Sequence, residues 1–292
     1  MIRTYPLRRA GVDDVGVEFQ DAVLRPLAGR LCLVDGVVGV TLGGSRARGT
    51  HTAESDYDLG VYYRGALDTD GLTALAQKWA GAGASATRTG EWGPWVDGGA
   101  WLSYDGRAVD WLYRDLDRVA SVWQDSQQGV YGLHAQTGHP FGFADFAYAG
   151  ELASAVILVD PSGQLAEFRT AMQHYPDALR DALVRRGLWE AEFVTALARK
   201  AIPRADTTYV AGCLFRAVCL CAHALHAHAR RWLISEKGAA AAAGALPNAP
   251  ADFGARAHAV LGRLGTTPDE LTAALTLAEQ LVADTRDACP LT

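Results

Sequence analysis

The chain has 292 residues, 49% of them hydrophobic and 21% charged, with a formal net charge of −6. That length suffices for two ordinary domains or one large one, with enough apolar content for a substantial core. The acidic balance speaks against an extended nucleic-acid surface, which needs a basic stripe.

In chain order, the first nine residues lack the apolar core of a signal peptide. Apolar and charged residues at helical spacing then predict a leading helix over 12–30. Segments 37–42 and 57–63 read as the first two strands, and 71–80 as a helix between sheet elements. A turn-rich loop at 91–95 precedes two apolar runs, 100–104 and 107–113, joined by Asp105-Gly106. That pattern predicts a hairpin with Asp110 on one face and its neighbours Val109 and Trp111 on the other. Segment 116–128 reads as helical. From 144 onward the pattern is helical throughout: 144–159, 164–174, 177–200, 207–234, 253–264 and 268–287. The Ala-, Gly- and Pro-rich stretch 238–250 reads as a loop or as an extension of the preceding helix. The expected fold class is α+β, with an N-terminal sheet domain over 1–143 and a C-terminal helical bundle over 144–292. The most apolar stretch, 209–229, is interrupted by Arg216 and three histidines, so no membrane span is expected. Five scattered cysteines predict a reduced, cytoplasmic protein.

Chemistry concentrates between the first two strands. The run 37–42 ends in Gly43-Gly44-Ser45, followed by the loop Arg46-Ala47-Arg48-Gly49 and then by Ser55-Asp56-Tyr57-Asp58-Leu59. Side chains alternate along a strand, so Asp56 and Asp58 are expected on one face, where like charges repel unless a cation sits between them. All-oxygen ligation suits Mg²⁺ carried in with a phosphate substrate. The glycines let backbone N–H groups approach phosphate oxygens.

These residues resemble the nucleotidyltransferase superfamily related to DNA polymerase β, and within it the antibiotic (aminoglycoside- and lincosamide-type) nucleotidyltransferases. The resemblance implies a mixed sheet with flanking helices as the catalytic domain and a helical domain on the acceptor side. It implies that Asp56, Asp58 and a third strand-borne carboxylate, Asp110, hold two Mg²⁺ ions. Gly43, Gly44 and Ser45 would contact the NTP phosphates, joined by Arg46 or Arg48 unless those arginines are merely solvated. The activity implied is transfer of a nucleoside monophosphate, AMP from ATP in the first instance, to a hydroxyl of a small molecule. A role in antibiotic resistance is compatible with this. The alternatives are a protein-adenylylating enzyme of the minimal-nucleotidyltransferase antitoxin type and a non-catalytic nucleotide-binding protein. No extended nucleic acid and no membrane partner are expected, and a homodimer is allowed.

Glu151 is the candidate for an additional base, or else a surface glutamate near a helix start. Lys200 and Lys237 are candidate triphosphate contacts, or cations placed at helix ends. Cys219, His223 and His226 share one helical face, as core residues or as metal ligands. Trp92, Trp95, Trp101 and Trp111 cluster around the hairpin and pack in the core or stack on a substrate ring. The acceptor is expected between the sheet and the helical bundle.

Overall fold

A computed structural model describes residues 19–291. Of the leading helix expected over 12–30, the portion before residue 19 lies outside the described residues. A single π-helical turn, Gln20–Leu24, runs into α1 (Arg25–Leu31). The chain then forms β1 (Val37–Leu42), the one-turn helix α2 (Gly44–Ala47), β2 (Tyr57–Tyr63) and α3 (Thr69–Ala80). Next come β3 (Gly99–Tyr104), β4 (Arg107–Asp115) and α4 (Leu116–Gln127). The hairpin β3–β4 turns at Asp105 and Gly106, both with positive φ (50° and 72°), which matches the twist of its strands.

Two short strands, β5 (Leu133–His134) and β6 (Phe143–Ala144), pair with each other before α5 (Ala147–Ser154) and β7 (Val156–Val159). The helix expected over 144–159 is therefore three elements. Its last four residues, Val-Ile-Leu-Val, are a strand because they pair antiparallel with β1. Helices α6 (Gln164–Met172), α7 (Asp177–Ala201), α8 (Thr207–His228), α9 (Ala239–Gly244), α10 (Phe253–Gly262) and α11 (Pro268–Ala288) follow. The helix expected to reach 234 stops at His228, and Arg230 adopts a left-handed conformation just beyond it. Segment 238–250 contains α9, so it is neither a plain loop nor a continuation of α8.

The described residues divide into two compact units, one running to Val119 and including Glu151–Ala171, the other formed by Ala120–Gly150 and the chain from Met172 onward. The first contains a five-stranded mixed sheet in the order β3-β4-β2-β1-β7, with β2 and β4 parallel and the other pairs antiparallel. Alternation gives the sheet two unlike faces. Val40, Leu42, Leu59, Val61, Val109, Trp111 and Tyr113 form a buried core with Leu27 and Leu31 of α1 and Leu72 and Ala76 of α3. The opposite face carries Asp58, Tyr62, Asp110 and Arg114. Residues 151–171 belong to this unit, not to one helical block starting at 144.

In the second unit, α7 and α8 pack as a helical hairpin, and α10 and α11 pack against α8. Asp206 caps α8 by accepting from Tyr209 N, and Thr267 with Glu270 forms a capping box on α11. By length and composition α8 could cross a bilayer, yet 78% of its most apolar window is buried inside this fold. It is the central helix of the bundle core.

Candidate active site

The in-register pairing of β2 with β4 sets Asp58 beside Asp110. Adjacent strands lie roughly 4.8 Å apart, so the two carboxylates rise as neighbours from one face. Asp110 is in turn the cross-strand partner of Trp101 on the edge strand β3. On the other side of Asp58 stands the turn after β1, where Gly43 N donates to the Asp58 carbonyl at 2.8 Å. One row thus crosses the sheet: Trp101, Asp110, Asp58, Gly43-Gly44.

Gly44 is fixed at this place twice over. Its φ is +63°, and a Cβ on it would overlap Asp58 Oδ2. The bare backbone of the turn therefore lies directly against a carboxylate, leaving no side chain between the peptide and whatever that carboxylate binds. Ser45 follows, half-buried on α2. Asp56 is exposed and sits one residue before β2 begins, so the expected same-face pair is in fact a strand carboxylate and a loop carboxylate.

Electrostatically the row is in conflict. Burial, then Asp56 and Glu151, push the Asp58 carboxyl above its ordinary range, against the opposing pull of Arg48 and Arg114. Asp110 is pushed up to about 6 by burial, then by Asp58 and Asp56. Two neighbouring carboxylates, Asp58 and Asp110, both pushed up by burial and by nearby acidic charge, are suited to a hard cation. Among the described residues, no group of three His, Cys, Asp or Glu side chains is gathered at ligating distance. The donor set nevertheless fits Mg²⁺, which keeps waters and substrate phosphate oxygens in its shell and needs only one or two protein carboxylates.

The two loop arginines separate. Arg46 donates to the carbonyls of Ser55 (2.6 and 3.0 Å) and Asp56 (3.2 Å), and its guanidinium lies 3.7 Å from the Tyr57 ring centroid. It ties the loop leading into Asp56 rather than pointing outward as a phosphate ligand. Arg48 is exposed and close enough to Asp58 to act on its charge.

Glu151, expected in the helical part, stands on α5 within the first unit. Both its oxygens accept from Arg114, Nε to Oε2 at 2.7 Å and Nη2 to Oε1 at 3.0 Å. Arg114 is buried and also donates to the Tyr113 carbonyl at 2.9 Å. It is the register partner of Tyr62, whose hydroxyl bonds with Thr41. A polar layer of Thr41, Tyr62, Arg114 and Glu151 thus flanks Asp58. Sequence reasoning missed Arg114, although its signal was available: it lies four residues past Asp110 on a strand, hence on the same face.

Lys200 and Lys237 are both exposed and both in the second unit, Lys200 near the end of α7 and Lys237 in the turn before α9. His223 and His226 are buried in the bundle; burial drives His223 down to about 3, His226 Nδ1 lies 2.9 Å from the Ala222 carbonyl, and Cys219 is buried nearby in sequence. They are core residues. Trp111 is buried in the sheet core, while Trp101 is 71% exposed.

The sheet thus sets the glycine-serine turn beside paired carboxylates on parallel strands. Residues 24–83 match the nucleotidyltransferase domain family. Residues 148–237 match a domain of unknown function (DUF4037). Among solved structures, the chain is similar to a nucleotidyltransferase-like protein from Exiguobacterium sibiricum 255-15. The identity is 10%, over 91% of this chain and 74% of that one, with a TM-score of 0.43. No curated protein matches the chain.

Proposed function

We propose that this protein is a Mg²⁺-dependent nucleotidyltransferase that moves AMP from ATP to a hydroxyl of a small molecule and releases pyrophosphate. The observation that carries this reading is the Asp58–Asp110 pair, in register on parallel strands, with the bare backbone of Gly44 against Asp58. An antibiotic is the acceptor class that the sequence resemblance suggests.

Asp56, Asp58 and Asp110 would hold the Mg²⁺, which neutralises the triphosphate and the charge that develops on the leaving group. The N–H groups of Gly44 and Ser45 receive the terminal phosphates, while the Gly43 N–H stays on the Asp58 carbonyl and holds the turn in place, with Arg48 adding positive charge from the loop. Arg46 keeps Asp56 in place through its hold on the Ser55 and Asp56 carbonyls. The acceptor oxygen attacks the α-phosphorus in line; the new O–P bond forms as the bond to pyrophosphate breaks. Glu151 accepts the acceptor's proton. Arg114 occupies one direction at each of its oxygens, and each oxygen keeps a second lone pair. The buried guanidinium fixes the carboxylate in one orientation.

Asp58→Asn and Asp110→Asn test the reading through ATP-dependent pyrophosphate release. Each should lower turnover by about 10²–10³-fold, the usual cost of deleting a group that stabilises transition-state charge. Glu151→Gln should cut it by about 10²–10⁴-fold with Mg-ATP affinity unchanged. Wild-type turnover in both aspartate variants would sink the assignment.

A further inference from the structure

The row that crosses the sheet has a direction, and the chemistry proposed above makes that direction informative. In-line transfer requires the attacking and leaving oxygens to lie on opposite sides of the phosphorus. The turn at Gly44 marks the pyrophosphate end of the row. The far end, beyond Asp110, is therefore where an acceptor arrives, and the side chain standing there is Trp101.

Trp101 is 71% exposed on the carboxylate face of the sheet, while its strand neighbours Ala100 and Leu102 are buried in the core on the other face. Such exposure of a large ring is costly in water. The ring is also held. Trp92 stacks on it with centroids 4.4 Å apart and planes 18° from parallel. Gly99, two residues earlier, has no room for a Cβ, which would overlap the Trp111 carbonyl, and its bare backbone also lies close under the Trp92 ring. A two-ring stack with one face pinned presents the rest of Trp101 as a preorganised surface beside Asp110. Such a surface takes the apolar face of a sugar-like or aromatic ring, and it tolerates a cationic substituent.

We infer that Trp101, backed by Trp92, is the acceptor-binding platform, and that the acceptor carries its reacting hydroxyl on or next to a ring. This rests on the nucleotidyl-transfer reading. Because the acceptor is unidentified, the probes are ring alcohols (myo-inositol, glucosamine, 4-hydroxyphenylethanol) set against acyclic ones (sorbitol, 1,4-butanediol). Pyrophosphate release from Mg-ATP is measured with each, alongside calorimetric titration of Mg-ATP alone. Release should depend on ring alcohols. Trp101→Ala should lower kcat/KM for them by about 10–100-fold, the usual worth of an aromatic stacking surface. Trp101→Phe should keep most of that activity, and Mg-ATP affinity should change less than twofold in either variant. Three results would each overturn the inference: no preference for ring alcohols or no reaction with any of them, unchanged kcat/KM in Trp101→Ala, or a tenfold loss of Mg-ATP affinity, which places the nucleobase on this ring. Failure of the underlying reading looks different: the wild-type protein would then bind no Mg-ATP, or bind it and release no pyrophosphate with ring and acyclic alcohols alike.

Discussion

Asp110 concentrates the electrostatic cost of the site. Burial and the nearby Asp58 and Asp56 raise its pKa from 3.8 to about 6, and Asp58 is shifted in the same direction. Between those pH values the folded, metal-free protein binds more protons than the unfolded chain, so its stability falls as pH rises through that window and levels off above it. Solvent screening of these half-buried groups keeps the effect on the order of 1 kcal/mol. Asp110→Asn should reduce this slope, leaving the share that Asp58 contributes, and make the metal-free protein more stable at pH 7 than wild type, in urea titrations at pH 4, 5, 6 and 7. A flat wild-type profile over that range would mean that neither burial nor the neighbouring carboxylates raise the proton affinity of Asp110 and Asp58. Relief of the same repulsion is what a bound cation offers, so added Mg²⁺ should flatten the profile as well.

At the scale of the element, the segment from β1 to β2 is a short loop built around a fixed turn. Gly44 supplies the left-handed conformation and the missing Cβ, while Arg46 ties the far side of the loop to Ser55 and Asp56. Gly44→Ala forces a side chain into the left-handed region and against Asp58 Oδ2. The backbone strain alone should cost about 1 kcal/mol. The functional loss should be larger, because relieving the overlap moves Asp58 out of its row. The expected result is a modest drop in urea midpoint at constant m-value together with loss of Mg-ATP binding. Full Mg-ATP affinity in this variant would show that the contact between turn and carboxylate is incidental.

At the scale of the molecule, each unit has its own apolar core. The sheet face centred on Leu59, Val61 and Trp111 serves the first, and α8 serves the second. Leu214 on α8 is fully buried among helices. Leu214→Ala leaves a cavity, which in a core of this kind costs about 2–5 kcal/mol. Denaturant titration followed by far-ultraviolet circular dichroism should register that loss. A cost below about 1 kcal/mol would mean that the bundle collapses around the gap or is packed more loosely than its burial indicates.

The sequence by itself determined what depends on neighbours along the chain. Strand periodicity placed β1 and β2 with the bounds observed, and the Asp105-Gly106 turn placed the β3–β4 hairpin, because turn chemistry and alternation are local. The Asp-x-Asp pattern after the Gly-Ser turn nominated Asp58, and the resemblance to polymerase β-related nucleotidyltransferases nominated Asp110 on the strand that the hairpin signal predicted. Tertiary structure decided whatever depends on partners far away in the chain. The four residues of β7 pair with β1, more than a hundred positions earlier, and their largely β-branched run before Asp160-Pro161 was too short to outweigh the helical pattern leading into it. Glu151 meets Arg114 across 37 positions, and Arg46 is occupied by carbonyls that only the folded loop brings to it. Trp101 and Trp111 are the same residue type ten positions apart on one hairpin. Pairing register buries one in the core and leaves the other beside Asp110, because a side chain's face is set by the strand next to it.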